Sequence, residues 1–166
     1  MSYDSPILVV DDNKEIHRQI LRILSKAPLD PAASQLDSLH NEVFGDAGPD
    51  KKPAKRSYNC VSAYQGQEAL SYVVEAQKEN KPFGLAIVDM RMPPGWDGLE
   101  TIKRLWEVSP KTQILICSAY SDYSLEQINQ ELNRSSSYLF LRKPFEVLEL
   151  EQMVAYMMEK WHLQKD

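Results

Sequence analysis

The stretch Leu85-Ala-Ile-Val-Asp-Met-Arg-Met-Pro-Pro-Gly-Trp-Asp-Gly98 decides the fold. Its first four residues are apolar and mostly branched, too short a run for a helix, with Gly84 before them and the Pro93-Pro94-Gly95 turn after. Such a run reads as a strand buried on both faces, the kind found inside a parallel sheet. Asp89 then sits where the strand leaves the sheet, and open α/β sheets bind ligands at their strand carboxyl ends. One aspartate there proves little. The weight comes from what other segments bring beside it.

Upstream, Ile7-Leu-Val-Val10 is a similar run that ends in Asp11-Asp12-Asn13. A helix follows with Ile16, Ile20, Ile23 and Leu24 at helical spacing, and it stops near Ala27-Pro28. Residues 58–63 read as a second strand, and Gly66 leads into a helix with Ala69, Leu70, Val73 and Val74 inward. After the organising strand, Asp97 is a natural N-cap with Glu100 three residues on, for a helix burying Leu99, Ile102, Leu105 and Trp106. Ser109-Pro110 ends it, and residues 113–117 form a fourth strand leaving at Ser118-Ala119. A helix is expected from about 122 to 134, with Leu125, Ile128 and Leu132 inward. Residues 138–141 are the fifth strand, followed by Lys143-Pro144 and a last helix carrying Val147, Leu150, Val154 and Met157. That helix runs on through Met158 and Trp161, further than the core is expected to need.

Strands alternating with helices in this way predict an α/β fold, a parallel sheet covered on both faces. Right-handed crossovers send every strand's carboxyl end to one edge. That edge gathers Asp11, Asp12, Asp89, Ser118 and Lys143. Residues 28–57 break the rhythm with Pro28, Pro31, Pro49 and Pro53, and read as an inserted segment in which Ser34 would cap a short helix. The expected domain is 1–160 with that insertion, and 161–166 a tail or the start of a linker.

Composition narrows the function. At 166 residues and a net charge of −5, the chain is long enough for a real core and offers no broad basic surface for nucleic acid. No apolar run approaches a membrane span, and the N-terminus lacks the basic and apolar parts of a secretory signal. Cys60 and Cys117 fall in strand-like runs and form no disulfide framework, so a reducing cytoplasm is expected. His17, His40 and His162 lack ligand spacing and read as ordinary solvated residues.

Carboxylates crowded at one edge repel, and desolvation sharpens the repulsion. A divalent cation relieves it, and oxygen donors without histidine or cysteine point to magnesium. Asp89 beside such an ion is suited to attack phosphorus, while Lys143 neutralises the transferred oxygens and the Ser118 hydroxyl donates to one of them. Two of the acids also have a plainer use: Asp11 and Asp12 complement the dipole of the helix they precede.

Asp11-Asp12 after strand one, Asp89 with Met92-Pro93 and Asp97-Gly98 after strand three, Ser118-Ala119 after strand four, and Lys143-Pro144-Phe145 after strand five resemble the receiver domain of two-component response regulators. The resemblance covers nearly the whole chain except 28–57 and the end beyond about 160. It implies a flavodoxin-like fold of five parallel strands in the order 2-1-3-4-5 with five helices. It further implies Asp89 as phosphoacceptor; Asp12, Asp89, the Arg91 backbone carbonyl and, through a bound water, Asp11 around Mg2+; and Ser118 and Phe140 as switch residues. A cis peptide between Lys143 and Pro144 is implied too. The expected partner is a histidine kinase or histidine phosphotransfer protein, with a homodimer through helix 4, strand 5 and helix 5 as an option. Similar receivers, with the Pro-Pro-Gly-Trp-Asp-Gly turn, are often attached to hybrid histidine kinases or cyclic-dinucleotide signalling modules. No enzymatic activity beyond the chain's own phosphorylation and dephosphorylation is implied.

Two departures stand out: the turn from Met92 to Asp97 is one residue longer than usual in the family, and bulky Trp96 replaces a smaller apolar residue. Two other readings compete. A magnesium-dependent phosphohydrolase using an aspartyl phosphate would keep an acid two residues past its nucleophile, where this chain has Arg91. A module that kept the fold and lost phosphorylation would have no need of the full acidic set.

Overall fold

The computed structural model describes residues 4–25, 56–119, 123–134 and 136–165. Its strands are β1 (Ile7–Val10), β2 (Cys60–Ala63), β3 (Leu85–Val88), β4 (Gln113–Ser118) and β5 (Tyr138–Arg142). The helices among the described residues are α1 (Lys14–Leu24), α2 (Gly66–Lys78), α3 (Gly98–Val108), α4 (Leu125–Leu132) and α5 (Val147–Lys165). All strand pairs are parallel, in the order β2-β1-β3-β4-β5. The expected flavodoxin-like α/β architecture is the one observed. The short helix after Ser34 and nearly all of the insertion lie outside the described residues.

The apolar runs are strands because both faces of each are covered. β1 and β3 are buried at every position. Alternate residues feed two separate cores. Leu8, Val10, Ala86, Val88, Ile114 and Ile116 pack with α2, α3 and α4 through Val73, Ile102 and Ile128. Ile7, Val9, Leu85, Ile87, Leu115 and Leu141 pack with α1 and α5 through Ile20, Leu24, Val154 and Met157. Each such side chain contributes about 1.5–3 kcal/mol on leaving water, so the sheet's interior holds the edge residues in fixed places. Burial also pushes the thiols of Cys60 and Cys117 up to about 12, as suits inert core cysteines.

Helix starts follow local chemistry. Asn13, Asp97 and Ser124 cap α1, α3 and α4 with side-chain oxygens, and Ser124 completes a capping box with Gln127. Two inward assignments fail at helix starts. Leu125 and Val147 are each the first residue of a helix, beside the entering loop, and are 61% and 50% exposed. Val147 instead lines a groove between α1 and the segment after β5. The last helix also departs from expectation: Met157, Met158 and Trp161 are buried, and the Trp161 indole N–H donates to Ser5 Oγ at 2.9 Å. The core uses α5 as far as Trp161, and the helix is unbroken at 160.

One glycine carries the strand exit. A Cβ on Gly98 would lie 2.5 Å from the Asp89 carbonyl oxygen and 2.7 Å from Met90 Cα, both backbone atoms that cannot turn away. The Gly98 N–H bonds the Met90 carbonyl at 3.0 Å, locking α3 against the end of β3. Gly98→Ala should therefore cost about 1–3 kcal/mol through overpacking. At this chain length that lowers Tm by roughly 2–4 °C per kcal/mol. Thermal unfolding checks it; an unchanged Tm would mean the loop yields.

Candidate functional site

The sheet's carboxyl edge brings together four of the residues singled out from sequence. Asp11 follows β1 directly and is held at each polar atom. Its N–H donates to the Ala63 carbonyl at 3.1 Å, its Oδ1 accepts from the Asn13 N–H at 2.9 Å, and its Oδ2 accepts from Lys143 Nζ at 2.7 Å. The Asp11 carbonyl accepts from His17 Nε2 at 2.6 Å. Asp89 follows β3, is buried, and has Oδ2 3.7 Å from the same Lys143 ammonium. Asp12 is exposed, and ligand oxygens of Asp11, Asp12 and Asp89 all lie within 4.8 Å of one another. One lysine thus pairs with two of three clustered acids.

Lys143 is placed by its strand. Its backbone N–H donates to the Ser118 carbonyl at 2.9 Å, extending the β4–β5 pairing by one residue. The Lys143-Pro144 peptide is cis, as the resemblance implies; the cis Pro93-Pro94 peptide is a further one that the sequence had not suggested. Ser118 ends β4 and is buried, while Phe140 is half-buried and packs on the α2–α3–α4 side of the sheet. Arg91 is exposed just beyond Asp89. Tyr120 lies outside the described residues. Tyr123 donates its hydroxyl to Asp97 Oδ2 at 3.1 Å, tying the start of α4 to the cap of α3.

Electrostatics at the pocket pull in opposite directions. Burial raises the Asp89 pKa above the usual carboxylate value, and the nearby Asp11 charge adds to the rise. Lys143 and the backbone N–H groups of Arg91 and Met90 offset part of it, but not all. Burial alone would lower Lys143; the hydrogen bond to Asp11 and the charges of Asp11 and Asp89 outweigh that and hold it above its ordinary value. The lysine stays charged and the acids still lack positive charge.

The donor set fits a hard cation. Mg2+ binds oxygens at about 2.0–2.1 Å, so oxygens on opposite sides of one ion lie about 4.2 Å apart. A separation within 4.8 Å is closed by a small side-chain rotation.

A further residue contradicts its sequence reading. His17 is not solvated: it is 2% exposed, between Asp11 and Ser62 and against the tilted ring of Tyr64 at 4.5 Å between ring centroids. The signal was present, since position 17 stands three before Ile20 and seven before Leu24 on the buried face of α1.

A doubly wound parallel sheet with an aspartate–lysine pocket at its carboxyl edge defines a receiver-type α/β protein. The chain belongs to the response regulator receiver domain family, whose model matches residues 53–155. Sporulation initiation phosphotransferase F of Bacillus subtilis is 28% identical over 116 residues, which span 70% of this chain and 79% of that one. Transcriptional regulatory protein ZraR of Salmonella typhimurium is 34% identical over 95 residues, 57% of this chain and 20% of that protein. The chain therefore spans about a fifth of that longer regulator. The signal receiver domain of an HD domain-containing protein from Pseudomonas fluorescens superposes with a TM-score of 0.67 at 19% identity, covering 99% of this chain and 94% of that one. The family match begins at 53, past β1, so it leaves out Asp11 and Asp12; the fold returns them to the pocket. No helix among the described residues is long and apolar enough to cross a membrane.

Proposed function

We propose that this chain is a phosphoacceptor that takes a phosphoryl group onto Asp89 from a histidine kinase or histidine phosphotransfer protein. The observation that carries this is the meeting of Asp11, Asp12 and Asp89 within 4.8 Å, with Lys143 on two of them. An Asp89 carboxylate oxygen forms the new bond to phosphorus as the donor's N–P bond breaks, and the imidazole leaves with the bonding electrons. Asp12, Asp89, the Arg91 backbone carbonyl and, through water, Asp11 would hold Mg2+, which supplies positive charge to the phosphoryl oxygens. Lys143 supplies the fixed charge on the other side. An exposed groove lined by Ile16, Gln19 and Ile23 of α1 with Pro144, Phe145 and Val147 runs beside Lys143, and gives a donor domain apolar surface next to the acceptor.

Phosphorylation then biases the loop after β4: Ser118 donates its hydroxyl to the new oxygens, and Phe140 reorients behind it. Beryllium fluoride with Mg2+ mimics the phosphoryl group and should shift the amide resonances of Ser118 and Phe140. Spectra that do not respond, or that respond equally in Asp89→Asn, would overturn the assignment.

A further inference from the structure

We infer that His17 is a positioning residue for the cation site: it aims the peptide that joins Asp11 to Asp12. The inference rests on the reading of Asp11, Asp12 and Asp89 as the magnesium site. His17 lies in the first full turn of α1, and its side chain turns back toward the helix N-terminus, as helical side chains do. That direction carries the ring past the Asn13 cap to the end of β1. There Nε2 sits 2.6 Å from the Asp11 carbonyl oxygen and Nδ1 3.0 Å from Ser62 Oγ on β2.

The donor roles follow from the partners. A carbonyl only accepts, so Nε2 carries a hydrogen; in the neutral ring Nδ1 then accepts from the Ser62 hydroxyl. Ser62 thereby favours the tautomer that keeps the hydrogen on Nε2, toward Asp11. Tyr64 covers the ring, and the imidazole is 2% exposed.

The consequence concerns Asp12 more than Asp11. The side chain and N–H of Asp11 are already held by Lys143, Asn13 and Ala63. The Asp11 carbonyl belongs to the peptide plane from which Asp12 departs, and Asp12 is the exposed member of the three acids. Holding that plane through a buried ring sets the direction of the Asp12 side chain before any cation arrives. Groups that orient ligands in this way typically change metal affinity about 10–100-fold when removed.

Three substitutions separate positioning from simple packing. His17→Gln places its amide nitrogen near the former Nε2 and keeps a donor to Asp11. His17→Asn reaches only as far as Nδ1 and keeps the Ser62 contact alone. His17→Leu fills the space with neither. Mg2+ affinity by titration calorimetry and Tm without Mg2+ are measured for each on the full chain. The expected result is near wild-type affinity for Gln and about tenfold or greater weakening for Asn and Leu, out of step with their order in Tm. If Leu does not fold, the Gln and Asn pair decides. Equal affinity in all variants, or losses that track Tm alone, overturns the role. Wild-type protein that fails to bind Mg2+ takes down the metal-site reading itself, and this inference with it.

Discussion

Asp89→Asn is expected to abolish alkali-labile phosphoryl incorporation from an acyl phosphate donor in the presence of Mg2+, down to the level of donor alone. The amide keeps the size and much of the hydrogen bonding of the carboxylate but has no anionic oxygen to attack phosphorus. The substitution should leave the fold as stable or more stable at neutral pH. Asp89 is buried beside Asp11, and its pKa is raised by that burial. An acid with a raised folded-state pKa costs stability while it is ionised, and the cost disappears as pH falls through that pKa. The Asn variant should therefore match or exceed wild type in Tm at neutral pH, and the gap should close on acidification. Radiolabel incorporation and Tm across pH separate the two effects. Incorporation that persists would move the acceptor to another residue; a Tm loss that accounts for lost incorporation would make Asp89 structural.

How the site was legible depends on which segments carry it. Ile7–Val10 and Leu85–Val88 are buried at every position, so their ends were marked by the first acid after an apolar run. Lys143 was marked by its place between β5 and a proline. The strand order needs only alternation and crossover handedness to limit it, and the family resemblance selected among the remaining orders. His17 was missed for a different reason. Its spacing placed it on the buried face of α1, but polarity argued for solvent, and only the Asp11 carbonyl and the Ser62 hydroxyl reverse that. Sequence periodicity reports which face a residue is on, and it is silent about a backbone acceptor delivered by another strand. Trp161 shows the same gap in reverse: Ser5 and Gly84, far away in sequence, are what the end of α5 packs against.

Lys143→Met should destabilise the chain at neutral pH by about 3–5 kcal/mol, the usual consequence of leaving a buried charge without its partner. The lysine side chain is 14% exposed and its Asp11 partner 4%, so little solvent screens the pair. Met keeps the length and apolar stem of lysine, which confines the change to the ammonium. The pH dependence has a definite sign. Lys143 is held above its ordinary 10.5, so its contribution is fully present below that value and is lost as pH rises through the folded pKa. The difference between variant and wild type should thus be flat near neutrality and shrink in strong alkali. It should also shrink in acid, because Asp89 loses the charge that opposed its raised pKa and takes up a proton more readily. Magnesium gives the third arm. An ion that binds only the folded state stabilises by about 2.7 kcal/mol at a hundred times its Kd, and it supplies the positive charge that Met lacks. Urea unfolding of both proteins, with and without Mg2+, should show the variant recovering more than wild type gains. Equal gains would mean that the ion and the ammonium are not competing for the same acids, and no gain in either protein would make the pocket an ion pair rather than a cation site.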